Sequence, residues 1–159
     1  MELHSNYKYF WKENIKGEII PQKEPDMQPL IMSQLKVLCD YMGIQISREV
    51  ESGNGEVDFL CSATYKGKVI KTCIELKNAH SPKIEAGLTL QLPQYLKSER
   101  TRHGIYLVLW YKGKLFDKPK NFDYPQSLND FLDNIRPEEF KTEVILINCN
   151  KPTVPSRLK

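Results

Sequence analysis

The sequence predicts an α/β domain in which a helix, three strands, a helix, a strand, a short helix and a last strand build one mixed sheet flanked by helices. Three observations carry that expectation. Two turn signals, SGNGE (52–56) and Lys66-Gly67, divide residues 44–78 into three β-rich runs. Apolar residues at helical spacing flank that block on both sides. The run GIYLVLWY (104–111) is apolar on both faces, as a buried central strand would be.

The elements follow in chain order. Residues 1–29 hold an aromatic-basic segment (Tyr7, Tyr9, Phe10, Trp11 among Lys8, Lys12, Lys16) and the Pro-punctuated PQKEPDMQP. They are expected to form an irregular or partly stranded extension packed on the body, or the end of a linker. Leu30, Ile31, Leu35, Leu38 and Met42 predict a helix over 30–42, stopped by Gly43. Strands follow at 44–51, 56–65 and 68–78. Residues 84–100 hold a helix with Leu88, Leu92, Tyr95 and Leu96 on one side; Pro93 is tolerated in a first turn, so the regular helix is expected to begin near Leu90. After the strand at 104–111 come a Lys-, Asp- and Pro-rich loop, a short helix near 127–135 and a strand at 143–149. The expected domain is 30–150, with a loose tail at 151–159.

The chain has 159 residues, which suits one domain or slightly more, and its 40% hydrophobic and 27% charged residues are the profile of an ordinary soluble globule. It has no apolar run of transmembrane length, and MELHSNYKYFWKENIKGE is too charged and aromatic for a signal peptide. Cys39, Cys61, Cys73 and Cys149 are widely spaced with no CxxC or Cys/His pattern, which argues against zinc and disulfides and for a cytoplasmic protein. Charge is uneven. Residues 24–58 carry seven acids against two bases, and residues 97–120 seven bases against two acids. An acidic centre beside a basic flank suits a metal site that must also hold a polyanion. Lys97, Arg100, Arg102, Lys112 and Lys114 are the expected nucleic-acid contacts.

The chemistry centres on GEVDF (55–59) and CIELK (73–77). With Lys66-Gly67 as a two-residue hairpin loop, Asp58 falls opposite Glu75, and Lys77 points to the same face because the side-chain period of a strand is two. With Gly53-Asn54 as the previous loop, Glu49 falls opposite Asp58. Glu49, Asp58 and Glu75 would form one row, with Glu51, Glu56 and Lys77 as the next. The other face would carry Val50, Val57, Phe59, Cys61, Ala63, Ile70, Ile74 and Leu76 as core. Opposed like charges destabilise a sheet, and a hard divalent cation is the commonest reason to keep them. Cys73, on the acidic face, is read as packing, and His80 and His103 as satisfied loop histidines.

These residues resemble the PD-(D/E)XK nuclease superfamily, built on a restriction-endonuclease-like αβββαβ core. Its acid on the second strand and its E-x-K on the third match Asp58 and Glu75-Leu76-Lys77. Gln91-Leu92-Pro93-Gln94-Tyr95 is similar to the Gln-x-x-x-Tyr of the RecB-like branch. Val57 stands where the superfamily often has proline. Many relatives carry a glutamate on the first helix; none falls within 30–42, so Gln34 or Asp40 could substitute, and the strand register favours Glu49 as the auxiliary acid.

The resemblance implies that Asp58, Glu75 and the Leu76 carbonyl hold Mg²⁺ (or Mn²⁺). It implies that Lys77 activates the attacking water and offsets transition-state charge, that Gln91 and Tyr95 position the phosphate or the lysine, and that Glu49 completes the metal shell. The implied activity is metal-dependent phosphodiester hydrolysis of nucleic acid, DNA above all. The implied setting is a bacterial defence or restriction system, as a homodimer or attached to other domains. A catalytically silent nucleic-acid-binding module and a protein-interaction domain are the alternatives.

Overall fold

The described residues, 6–52 and 55–150 of the computed structural model, begin with a 3-10 turn (Asn6–Phe10) and a small hairpin, β1 (Trp11–Glu13) and β2 (Ile19–Pro21). The expected Gly53-Asn54 loop and the tail at 151–159 lie outside the described residues. The hairpin packs on the body: Trp11 Nε1 donates to the Cys149 carbonyl at 2.9 Å, and its ring stands edge-on to Tyr111 at 5.2 Å.

Helix α1 runs Glu24–Tyr41, not 30–42. Its extra turns lie in the segment expected to be irregular. Pro25 sits in the first turn, where its missing N–H would have no partner anyway, and Glu24 and Asp26 suit the positive end of the helix dipole. Pro29 forgoes one helical bond, but Met27, Gln28 and Ile31 are buried around it and hold the turn. The boundary expected at residue 30 therefore falls inside a helix. Leu38 and Met42, expected on the core face, are exposed.

Strands β3 (Gln45–Ser52), β4 (Gly55–Tyr65) and β5 (Lys68–Asn78) form an antiparallel meander. Lys66 (φ 48°) and Gly67 (φ 75°) are both left-handed and close a two-residue hairpin that pairs Tyr65 with Lys68, as expected. Then come α2 (Ile84–Ala86), a π-helical turn (Gly87–Gln91) and α3 (Leu92–Ser98), with Pro93 in the first turn of α3. Pro93 cannot donate to a carbonyl four residues back, and the wider π-turn before it accommodates the ring. Strand β6 (His103–Trp110) pairs parallel to β5; after α4 (Pro125–Ile135), β7 (Lys141–Asn148) pairs parallel to β6. The sheet order β3-β4-β5-β6-β7 is mixed, and the αβββαβ core is the one expected.

Both faces of the sheet are core, which corrects the expectation of one charged and one apolar face. Phe59, Ile74, Leu76, Leu107 and Leu109 pack with Met27 and Ile31 of α1. Cys73, Tyr106, Val108 and Trp110 pack with Leu88, Leu92, Tyr95 and Leu96 and with Leu128 and Leu132 of α4. Val57 and Phe59 would share a face in a regular strand, yet they lie in different clusters, as do Val50 and Ile46. The chain twists over between them, at Asp58 and Glu49.

Candidate active site

The twist has a local cause. Glu49 adopts φ 52°, a left-handed backbone unusual outside glycine. The β3–β4 ladder passes from Arg48↔Phe59 to Val50↔Val57 without a Glu49–Asp58 pair. The β4–β5 ladder ends at Phe59↔Ile74, so Asp58 does not face Glu75 across regular bonds. Continuing that register would give the Leu76 N–H to the Val57 carbonyl. Instead Asp58 Oδ2 accepts it at 2.7 Å, and a side chain replaces main chain where the strands part.

Asp58 Oδ1 accepts from Gln28 Nε2 at 2.6 Å. One turn earlier on α1, Glu24 Oε1 accepts the backbone N–H of Asn78 at 2.7 Å, and its Oε2 lies 3.8 Å from Lys77 Nζ. Lys77 Nζ donates to Glu75 Oε1 at 2.7 Å. Asp58, Glu75 and Lys77 thus gather as the sequence predicts, with the neighbourhood completed by α1. Glu24 and Gln28, four residues apart on one helix face, are the residues that sequence reasoning missed. Pro25 beside two acids, followed by Met27 and Ile31 in step with Leu35, was the available signal.

Glu49 is not part of this site. Its side chain is 48% exposed and pairs with Arg48 at 3.3 Å, because the left-handed backbone takes it out of the row. Glu24 on α1 stands in the cluster from which Glu49 is missing. The expected second row also fails: Glu51 faces Glu56, and both are exposed, while Lys77 is buried elsewhere.

Glu75 and Glu24 flank one ammonium, and the charge of Asp58 also bears on it. Glu75 is 1% exposed, and burial first, then the charge of Asp58, push its carboxyl up to about 8. Burial, with the charge of Glu24, raises Asp58 against the Leu76 N–H, Lys77 and Gln28. Burial pulls Lys77 down, but Glu75, Glu24 and Asp58 outweigh it and hold the ammonium above its ordinary range. For the two acids burial leads and the neighbouring negative charge adds to it, whereas for the ammonium that same negative charge overcomes burial.

Gln91 Nε2 donates to Tyr95 Oη at 3.1 Å, so the two share a helix face as expected. Burial raises Tyr95, with the charges of Glu75 and Asp58 adding to it, so the hydroxyl senses the acids. Glycine at 87 is required: a Cβ there would collide with Tyr106 Oη and stand 3.0 Å from Lys77 Cε. Tyr106 Oη donates to the Ile84 carbonyl at 2.6 Å, and the end of the Lys77 stem lies close to Gly87. His80 packs against Tyr111 and Phe116, with burial lowering its pKa; His103 is exposed at the start of β6. Cys73 is fully buried, as packing requires.

A family model described as a domain of unknown function, DUF8371, matches residues 1–113. The chain belongs to the DUF8371 family. The DUF8371 stretch contains Glu24, Gln28, Asp58, Glu75, Lys77, Gln91 and Tyr95, and ends just past β6; α4 and β7 lie beyond it. No curated protein matches the chain.

Around this stretch the expected basic flank divides, which corrects its reading as one surface. Lys97, Arg100 and Arg102 precede β6, and Lys112 and Lys114 follow it. Eight strand residues set the two groups about 26 Å apart. Lys97 pairs with Glu139 at 3.1 Å, Arg102 donates to the Glu139 carbonyl, and Lys112 Nζ donates to the Phe122 carbonyl at 2.6 Å. Lys114 is exposed. Only the second group shares the Lys77 end of the sheet, since Lys77 pairs with Val108 and Thr72 with His103.

Among the described residues no three His, Cys, Asp or Glu side chains form a ready metal cage, and no helix is long and apolar enough to cross a membrane. The donor set nonetheless fits Mg²⁺, which takes one or two carboxylates and keeps several waters. Among the described residues, Glu75 Oε2 and Gln28 Oε1 are buried oxygens with no hydrogen-bond partner.

Proposed function

We propose that this protein is a metal-dependent nuclease resembling the RecB-like branch of the PD-(D/E)XK superfamily, hydrolysing DNA phosphodiester bonds. One observation carries the reading: Glu75 and Glu24 flank a single lysine while Asp58 accepts the N–H of the adjoining Leu76, at the point where two strands part. Buried negative charge in excess of its counter-charge is costly unless something cationic completes it.

In this reading Asp58, Glu75 and the Leu76 carbonyl hold Mg²⁺ or Mn²⁺, with Glu24 as the auxiliary acid. The ion, when bound, supplies Lewis acidity at a scissile phosphate. Gln28 and the Leu76 N–H fix the orientation of the Asp58 carboxylate. Lys77, aimed by Glu75 and confined by Gly87 and Tyr106, presents its ammonium where charge builds on the phosphate in the transition state. Gln91 and Tyr95 form a hydrogen-bonded pair able to orient the phosphate beside it. Lys112 and Lys114, at the same end of the sheet, receive the flanking strand. The setting we propose is cytoplasmic, as the cutting module of a bacterial defence or restriction system.

Plasmid DNA incubated with Mg²⁺ tests this. The wild type should degrade it, and Asp58→Ala and Lys77→Ala should each lose roughly 100-fold or more in rate. Equal behaviour of all three proteins would refute the enzyme. Binding without cleavage would instead point to a silent nucleic-acid-binding module on the same fold.

A further inference from the structure

At the opposite end of the sheet, a groove of about 540 Å³ is lined by Lys71, Arg100, Arg102, His103, Lys141 and one acid, Glu99. Glu99 is already neutralised: it accepts from Lys71 at 2.8 Å, and that bond holds its carboxyl below the usual range. Arg100 and Lys141 make no ion pair among the described residues. Arg102 is held in place by its two bonds to the Glu139 carbonyl. Exposed Val69 and Ile70 lie beside these cations.

A small anion is captured by donors converging on one point. Here the cations not spent on an acid, Arg100, Arg102 and Lys141, come from two separate elements (the turn after α3, and β7), spread along an open groove with an apolar side. That layout fits a row of phosphates with sugar or base faces lying on Val69 and Ile70. We propose that this groove is a second nucleic-acid contact, an exosite that grips the strand about 16 Å from Lys77, five β6 residues away. Calling that strand the substrate rests on the nuclease reading; the grip itself does not.

The test is fluorescence anisotropy of a labelled 20-nucleotide single-stranded DNA in EDTA, across a salt series. Arg100→Ala/Lys141→Ala should bind about tenfold more weakly, with a salt slope smaller by about 1.4, two phosphate contacts at about 0.7 each. The charge-preserving pair Arg100→Lys/Lys141→Arg should restore both, and Lys36→Ala/Lys16→Ala should leave both unchanged. An unaltered slope in the first variant, or an equal loss in the Lys36/Lys16 control, overturns the exosite. Binding that is sensitive to Arg100 and Lys141 in a protein that cuts nothing supports the exosite and overturns the nuclease. Cutting with insensitive binding does the reverse.

Discussion

Asp58 Oδ2 accepts the backbone N–H of Leu76 at 2.7 Å, taking the place of the main-chain carbonyl that a continuous ladder would have supplied. The acid is thereby locked to the middle residue of Glu75-Leu76-Lys77. The strands separate beside it, and the first turns of α1 enter the gap with Glu24 and Gln28.

The crowding of Glu75 makes the metal-free protein pH-sensitive. Its folded pKa, about 8, lies above the ordinary 4.5, so the folded state binds this proton more tightly than the unfolded chain does. The contribution of Glu75 to stability is then greatest below about 4.5 and is lost as pH rises towards about 8. Thermal melts in EDTA should show the wild type losing Tm across that window, and Glu75→Gln losing less while lacking metal-dependent activity. Parallel curves for the two proteins would contradict the assignment.

Gly87→Ala should destabilise by about 1–3 kcal/mol, because the new methyl meets Tyr106 Oη and the Lys77 stem. Adding Tyr106→Phe removes the nearest atom and should recover part of the loss, although it gives up the bond to the Ile84 carbonyl. Urea denaturation of the single and double variants measures this. Strict additivity would mean that the two residues do not oppose one another.

Gln28→Leu keeps side-chain bulk but removes the donor to Asp58 Oδ1. An unanchored carboxylate should bind Mn²⁺ roughly 10-fold more weakly, the usual effect of losing a partner that orients a ligand. Calorimetric titration of Mn²⁺ checks it. An unchanged affinity would reduce Gln28 to packing.

Much of this was legible in the chain. Lys66-Gly67 set the register of β4 on β5 because a two-residue loop leaves no slack. Period-two alternation then put Glu75 and Lys77 on one face, and helical spacing joined Gln91 to Tyr95. Even the division of the basic flank was readable, since residues 97–102 and 112–114 stand on either side of an eight-residue strand.

What the sequence determined by itself was local: element order, the tight turn, and which charged side chains recur on one face, all governed by backbone geometry within a few residues. Only the tertiary structure decided that Glu49 leaves the cluster and Glu24 enters it. A left-handed residue and a helix begun inside a proline-rich stretch are fixed by what packs against them, and Gln28 meets Asp58 across 30 residues of chain.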